Sequence, residues 1–203
     1  MIVTVTGFKG GVAKTTSAIH LAGYLSKRAS TLLIDGDANR SALEWAQHGK
    51  LPFDVVDERA AARRIREFEH VIIDTAARPA KDDLRQLAQG CDLLVVPTTP
   101  DALSLAALLA CVEELRALNV DAFRILLTII PPAPSPTGPD AREALKKAGL
   151  PLFKGEIRRY MAFQKAAREG ALVKDLADPY AEWAAQDYDE IGKEVVKWVN
   201  STT

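Results

Sequence analysis

Two lysines stand five residues apart in GFKGGVAKTT, residues 7–16, directly behind the apolar stretch MIVTVT. A strand, a glycine-rich loop and a Lys-Thr pair opening a helix are the parts that cradle a nucleotide's phosphates. Backbone N–H groups of Gly10, Gly11, Val12, Ala13, Lys14 and Thr15 can curl round an anion, and the helix that starts near Lys14 turns its positive dipole end toward it. In the pattern G-x-x-x-x-G-K-[ST] the lysine reaches the β- and γ-phosphates and the hydroxyl ligates Mg²⁺, which nominates Lys14 and Thr15. The pattern departs at one place: Ala13 replaces the second glycine, so the backbone there must accept a Cβ. Lys14 alone serves such a loop, and Lys9 is left without a task.

Acidic residues end two of the neighbouring apolar runs. HVIID closes on Asp74, where a carboxylate would hold Mg²⁺ through water, and LLIDGD closes on Asp35 and Asp37. Each alone reads as a helix cap. Three of them converging on one phosphate loop read as Mg-nucleotide chemistry.

The elements that must position these groups are visible as an alternation. Strand-like runs IVTVT (2–6), STLLID (30–35), FDVVD (53–57), HVIIDT (70–75), DLLVVPT (92–98), FRILLTII (123–130) and a weaker PLFKGEI (151–157) are nearly continuous apolar stretches. That is the character of strands buried on both faces of a parallel sheet. Helical patterns KTTSAIHLAGYLSK, SALEWAQHG, AARRIREF, KDDLRQLAQG, DALSLAALLACVEELRALN and PDAREALKKAG lie between them, and the chain from RRYMAFQKAAREG onward reads as helical to its end. The expected fold is α/β, a doubly wound, mostly parallel sheet with helices on both faces, in a single domain over 1–203. PPAPSPTGP (131–139) reads equally as the wall of a site or as a rigid connector.

Lys+Arg 26 against Asp+Glu 27 leaves a formal charge of −1, so any nucleic-acid contact must come from a local patch. Cys91 and Cys111 sit in apolar surroundings without CxxC spacing and read as core residues. The sequence offers no signal peptide and no apolar run of the roughly 20 residues that span a bilayer, and the expected location is cytoplasmic.

KGGVAKTT (9–16), LLIDGDANRSALEWA (32–46), HVIIDTAARP (70–79), LLVVPTTPDALSL (93–105) and IRRYMAFQKAAREGALVKDL (157–176) together resemble the ParA/MinD family of deviant-Walker ATPases. The resemblance spans most of the chain, and the DGD-x-NRSALEWA stretch is similar to short ParA proteins of the carboxysome-distribution type. It implies an ATPase in which two subunits sandwich two ATP molecules, with Lys9 crossing to the partner's nucleotide. It implies catalytic roles for Lys9, Lys14 and Asp37, the last orienting the attacking water, and Mg²⁺ held by Thr15, Asp35 and Asp74. Thr16 would hold the α-phosphate, and Pro131 and Pro132, with Phe163, would lie near the adenine. Ala38 stands where relatives carry proline or aspartate, as a native residue or as a change introduced to hold ATP unhydrolysed.

The same resemblance implies an ATP homodimer that binds DNA without sequence preference over the nucleoid. A cargo-adaptor protein would stimulate hydrolysis, and the cargo would be a plasmid or a protein organelle such as a carboxysome. Arg158, Arg159, Lys165 and Arg168 are the candidate DNA contacts, alongside a reading of them as a solvated face. A rival is a membrane switch, because Ile191, Val195, Trp198 and Val199 can share one face of a terminal helix. Asp187, Asp189, Glu190 and Glu194 oppose anionic lipid, so packing on the domain is the expectation there. A third class, a metabolic P-loop enzyme such as a ligase, lacks an identifiable acceptor site, and an iron–sulfur protein lacks suitably spaced cysteines.

Overall fold

A computed structural model describes residues 1–202; Thr203, the last residue of the expected domain, lies outside the described residues. Six strands form one all-parallel sheet: β1 (Ile2–Gly7), β2 (Thr31–Gly36), β3 (Asp54–Asp57), β4 (His70–Ala77), β5 (Leu93–Thr98) and β6 (Phe123–Leu127). Their order across the sheet is β3-β2-β4-β1-β5-β6. The helices are α1 (Lys14–Leu25), α2 (Ser41–Ala46), α3 (Glu58–Arg64), α4 (Lys81–Gln89), α5 (Ala102–Ala117), α6 (Thr137–Lys147), α7 (Ala162–Glu169) and α8 (Ala181–Thr202).

Continuous apolar strands put alternate residues on opposite faces, and helices cover both. Val3, Val5, Leu33 and Ile72 point to the face that carries α1, α7 and α8. On the other face Leu94, Val96, Ile125 and Leu127 pack with Leu84 of α4, Leu108 and Leu115 of α5 and Leu145 of α6. A separate, smaller core joins Leu32, Ile34 and Val71 to Ala61 of α3. Each such leucine or isoleucine contributes on the order of 1.5–3 kcal/mol when fully buried. Thr4 and Thr6 of β1 fall on that second face, and their buried hydroxyls lie between the two apolar cores, that of Thr4 beside the Cys91 thiol.

Three expectations change. The run 151–157 is not a continuous strand; it meets β6 at an isolated bridge, Ile125 to Leu152, and again where the Ile157 N–H donates to the Leu127 carbonyl, while a second bridge, Ile130 to Arg158, lies beyond both. Pro151 has no N–H to give, and the N–H groups of Lys154 and Gly155 turn away to the Glu194 carboxylate at 2.9 and 2.8 Å. β6 also stops at Leu127, because Ile129 takes a left-handed backbone with φ 54°. The region after 157 is helical only in part: α7 and α8 are separated by a short 3₁₀ turn at Val173–Asp175 and by extended chain.

The terminal helix packs on the domain. Ile191, Val195 and Val199 are buried in the core beside α1, and Trp198 carries the Arg124 guanidinium over its ring at 4.2 Å. Gly192 lets the two helices close, since a Cβ there would meet the Tyr24 ring at 2.3 Å. The apolar face proposed for a lipid surface is therefore already occupied. Among the described residues no helix is long and apolar enough to cross a membrane.

Candidate functional site

The loop between β1 and α1 lies at the carboxyl edge of the sheet, where open α/β folds bind ligands. Ala13 precedes α1 with φ 63° and ψ 34°, a left-handed conformation, and Gly11 is also left-handed at φ 76°. For an L-residue that geometry costs about 1–2 kcal/mol, so the missing glycine is paid for in strain rather than avoided by a different backbone path. The loop is pinned from two sides. Thr128 places its hydroxyl 3.1 Å from both the Val12 and Thr98 carbonyls, while Arg78 donates its backbone N–H to Gly7 at 3.0 Å and its Nε–H to Phe8 at 2.9 Å. The Lys14 ammonium is buried and rests 3.4 Å from the Lys9 carbonyl; burial lowers its pKa, against the pull of Asp74 and Asp37.

The three carboxylates do different things. Asp35 and Asp74 are register partners on adjacent strands, both on the α1 face. Asp74 is fully buried, and among the described residues its oxygens have only the approach of the Thr15 hydroxyl and no well-formed hydrogen bond. Burial pushes its pKa up to about 7, with the Thr15 hydroxyl and Lys14 pulling downward and Asp35 and Asp37 adding to the rise. An orphaned carboxylate beside a phosphate loop and a threonine hydroxyl fits a divalent cation, which would supply the missing partner. Among the described residues no three His, Cys, Asp or Glu side chains form a ready cage. Mg²⁺ is commonly held by one or two protein oxygens plus phosphates and waters. Asp35 is committed elsewhere: its oxygens accept the Asp37 N–H at 3.1 Å and the Leu43 N–H at 2.9 Å. It is a positioning residue that fixes the 36–42 loop and the start of α2. Asp37 accepts from the Asn39 backbone and side-chain amides at 2.9 and 3.0 Å and, with Ala38, lines the cavity.

Two cavities meet at Gly11, Ala13 and Thr16. One, about 530 Å³, runs over Lys14 and Thr15 to Asp37, Ala38, Asn39 and Ser41. The other, about 430 Å³, is walled by Ile129, Ile157, Tyr160, Met161, Phe163 and Gln164. The first has the polar lining that phosphates need and the second the apolar walls that suit a base. Phe163 lines the apolar cavity. Pro131 and Pro132 do not line either cavity; Ile129 and the 157–161 segment line the apolar one. That segment was missed because it reaches the loop only through long-range packing; its one sequence signal was the IRRYMAFQKAAREG match. His20, one turn beyond Thr16, braces both parts. Its Nδ1–H donates to the Thr16 carbonyl at 2.8 Å, its Nε2 accepts the Val173 N–H at 3.1 Å, and its ring stacks on Tyr188 and meets Phe163 edge-on. Burial lowers its pKa to about 4, so the ring is neutral.

Lys9 does not point into its own nucleotide cavity. Its ammonium donates to the Ser104 hydroxyl at 2.8 Å and to Asp101 at 3.1 Å, at the start of α5. The hydroxyls of Ser104 and Thr99 and the Ser104 N–H hold the Asp101 carboxyl well below the usual range, keeping it an anion for Lys9. The lysine is about one-third exposed, so the contact is tight in geometry and light in energy.

The four basic residues expected on a DNA surface are not equivalent. Arg158 is clamped by Asp187, from its guanidinium at 2.6 Å and its backbone N–H at 2.9 Å, and it lines the apolar cavity with Tyr160. Lys165 donates to the Ala177 carbonyl at 3.0 Å and lies 3.7 Å from Asp178. Arg159 and Arg168 are exposed.

The family described as the CobQ/CobB/MinD/ParA nucleotide binding domain matches residues 3–173. The chain is 34% identical to the maintenance of carboxysome distribution protein A of Gloeobacter kilaueensis, over 96% of this chain and 93% of that protein. Among solved structures, a Borrelia burgdorferi B31 protein assigned to plasmid partition and bound to AMPPNP superposes with a TM-score of 0.74. Its identity is 20%, covering 97% of this chain and 98% of that one. Apo McdA of Cyanothece superposes with a TM-score of 0.73 at 18% identity, covering 93% and 98%. The fold is that of the MinD and ParA nucleotide-binding proteins. By motif, by sequence over nearly its full length and by fold, this chain belongs to the CobQ/CobB/MinD/ParA family of nucleotide-binding domains.

Proposed function

We propose that this protein is an ATP-driven positioning ATPase. In this reading ATP assembles a homodimer that binds DNA without sequence preference, and adaptor-stimulated hydrolysis releases it, distributing a cargo over the nucleoid. The likeness to a carboxysome distribution protein favours a carboxysome-type cargo over a plasmid. The observation that carries the reading is the pair of lysines. Lys14 sits in its own phosphate cavity, whereas Lys9, on the same loop, is held outside it by Asp101 and Ser104. A second triphosphate facing the first is strongly repelled, and a cation contributed by each subunit to the other's nucleotide makes association depend on ATP.

The chain's own residues divide the chemistry. Loop N–H groups and Lys14 bind and orient the β- and γ-phosphates, and Thr15 and Asp74 would hold Mg²⁺, which neutralises charge on the phosphates. Asp35 fixes the loop that presents Asp37, and Asp37 orients the attacking water. Catalysis is then mainly positioning and charge stabilisation. Arg159 and Arg168, doubled by a dimer, supply the phosphate contacts to DNA, with Lys165 beside them.

Light scattering with Mg²⁺ plus ADP or a slowly hydrolysed ATP analogue tests the dimer, with Lys9→Ala in parallel. Dimer with the ATP analogue alone, lost in Lys9→Ala, is the expected result. A monomer under all conditions overturns the reading. DNA retention should fall steeply with salt and weaken on Arg159→Glu with Arg168→Glu.

A further inference from the structure

On the sheet face opposite the phosphate loop, α3 leans on β2 and β3 while α4 leans on α5, and a cleft of about 540 Å³ opens between α3 and α4. Its floor is Ile34, Gly36, Ile73 and Thr75, with Ala61 and Leu87 on the walls. Glu58 from the first turn of α3 and Asp83 from the first turn of α4 stand exposed at its rim. Neither carboxylate has an ion-pair or hydrogen-bond partner among the described residues, and no lysine or arginine lines the cleft. Ile34 and Thr75 of the floor are already buried, and Gly36 and Ile73 are half-buried.

We propose that this cleft docks a short apolar segment of a partner protein through a lysine or arginine side chain whose head is held between Glu58 and Asp83. An aliphatic stem suits the isoleucine floor, and a cationic head suits two unpaired carboxylates. The same carboxylates repel nucleic acid and anionic lipid. Because strand residues alternate faces, Ile34 and Gly36 flank Asp35, and Ile73 and Thr75 flank Asp74. An occupant presses on the back of the strands whose front carries the nucleotide-site carboxylates. Its effect on hydrolysis rests on the function proposed above; docking itself does not.

Titration of the nucleotide-free, ¹⁵N-labelled full chain with acetyl-Leu-Arg-Ile-amide tests docking, with acetyl-Leu-Gln-Ile-amide and spermidine as comparisons. The arginine peptide should shift the amides of Gly36, Thr75 and Gly90 saturably, and the glutamine peptide should not. Glu58→Gln with Asp83→Asn, whose remaining spectrum reports an intact fold, should weaken binding about fivefold. Absence of saturable shifts, unaltered binding to the double variant, or an equal response to spermidine would each overturn the proposal. A chain that binds the peptide but hydrolyses no ATP supports docking and sinks the proposed ATPase, so the two readings fail separately.

Discussion

Replacing Asp74 by asparagine should make the nucleotide-free protein more stable while removing its response to Mg²⁺. An aspartate ordinarily titrates near 3.8, and Asp74 in the fold titrates near 7. The fold thus favours the protonated form. Its contribution is whole below pH 3.8 and is lost as pH rises through 7. At about 1.4 kcal/mol per pH unit, that interval amounts to about 4 kcal/mol by pH 8. Asparagine is neutral and nearly the same shape, so Asp74→Asn should recover about 2–4 kcal/mol at pH 8. For a chain of this size that is roughly 5–15 °C in Tm. At pH 5 the native Asp74 is already largely protonated in the fold, and the gain should shrink to about 1–2 kcal/mol. Thermal melts of both proteins at pH 5 and pH 8, with and without Mg²⁺ and ATP, read all of this. The wild type should gain stability from Mg²⁺ with ATP, and the variant should gain markedly less. A variant no more stable than wild type at pH 8, with an undiminished Mg²⁺ response, refutes the argument.

Ala13→Gly relieves the left-handed strain at the cost of a freer unfolded chain, and should raise Tm by roughly 1–4 °C in the same melts. His20 is neutral in the fold and ordinarily titrates near 6.5, so its contribution is complete above pH 6.5 and lost as pH falls toward 4, by about 3 kcal/mol. Asp74 runs the opposite way over much of that interval, so the His20 slope should stand out in the Asp74→Asn background and flatten on adding His20→Gln. Asp101→Asn should loosen Lys9 and raise the dimer fraction at limiting ATP by sedimentation, whereas an unchanged fraction means that the Lys9 contact does not compete with dimerisation. Ala38→Asp should raise ATP turnover severalfold in a phosphate-release assay; equal rates in the two proteins discard a role for that position.

The parts of this structure that could be read from the chain are those made by neighbours in sequence. Apolar runs announced the buried strands, and the KGGVAKTT loop announced the phosphate cavity because its donors are consecutive backbone N–H groups. What stayed hidden was built by distance. Arg158 looked like a free cation because its partner, Asp187, lies 29 residues on. Pro131 and Pro132 stay out of the apolar cavity, which is lined instead by the left-handed Ile129 and the distant 157–161 segment. Asp35 carried the same strand-end signature as Asp74, yet its oxygens are taken by N–H groups of the following loop. No local pattern distinguishes a buried carboxylate with few hydrogen bonds from one that holds a backbone.

The failed strand at 151–157 has a consequence for crowding. It lies along β6, bridged at Leu152 and with the Ile157 N–H on the Leu127 carbonyl, and so covers that margin of the sheet without offering a continuous ladder of its own. At the other margin β3 is only four residues long and begins and ends in aspartate. Backbone groups at a bare margin are what let sheets of different molecules fuse into insoluble aggregates, and short, charged or covered margins prevent it. Both margins of this sheet are therefore guarded against edge-to-edge pairing between molecules.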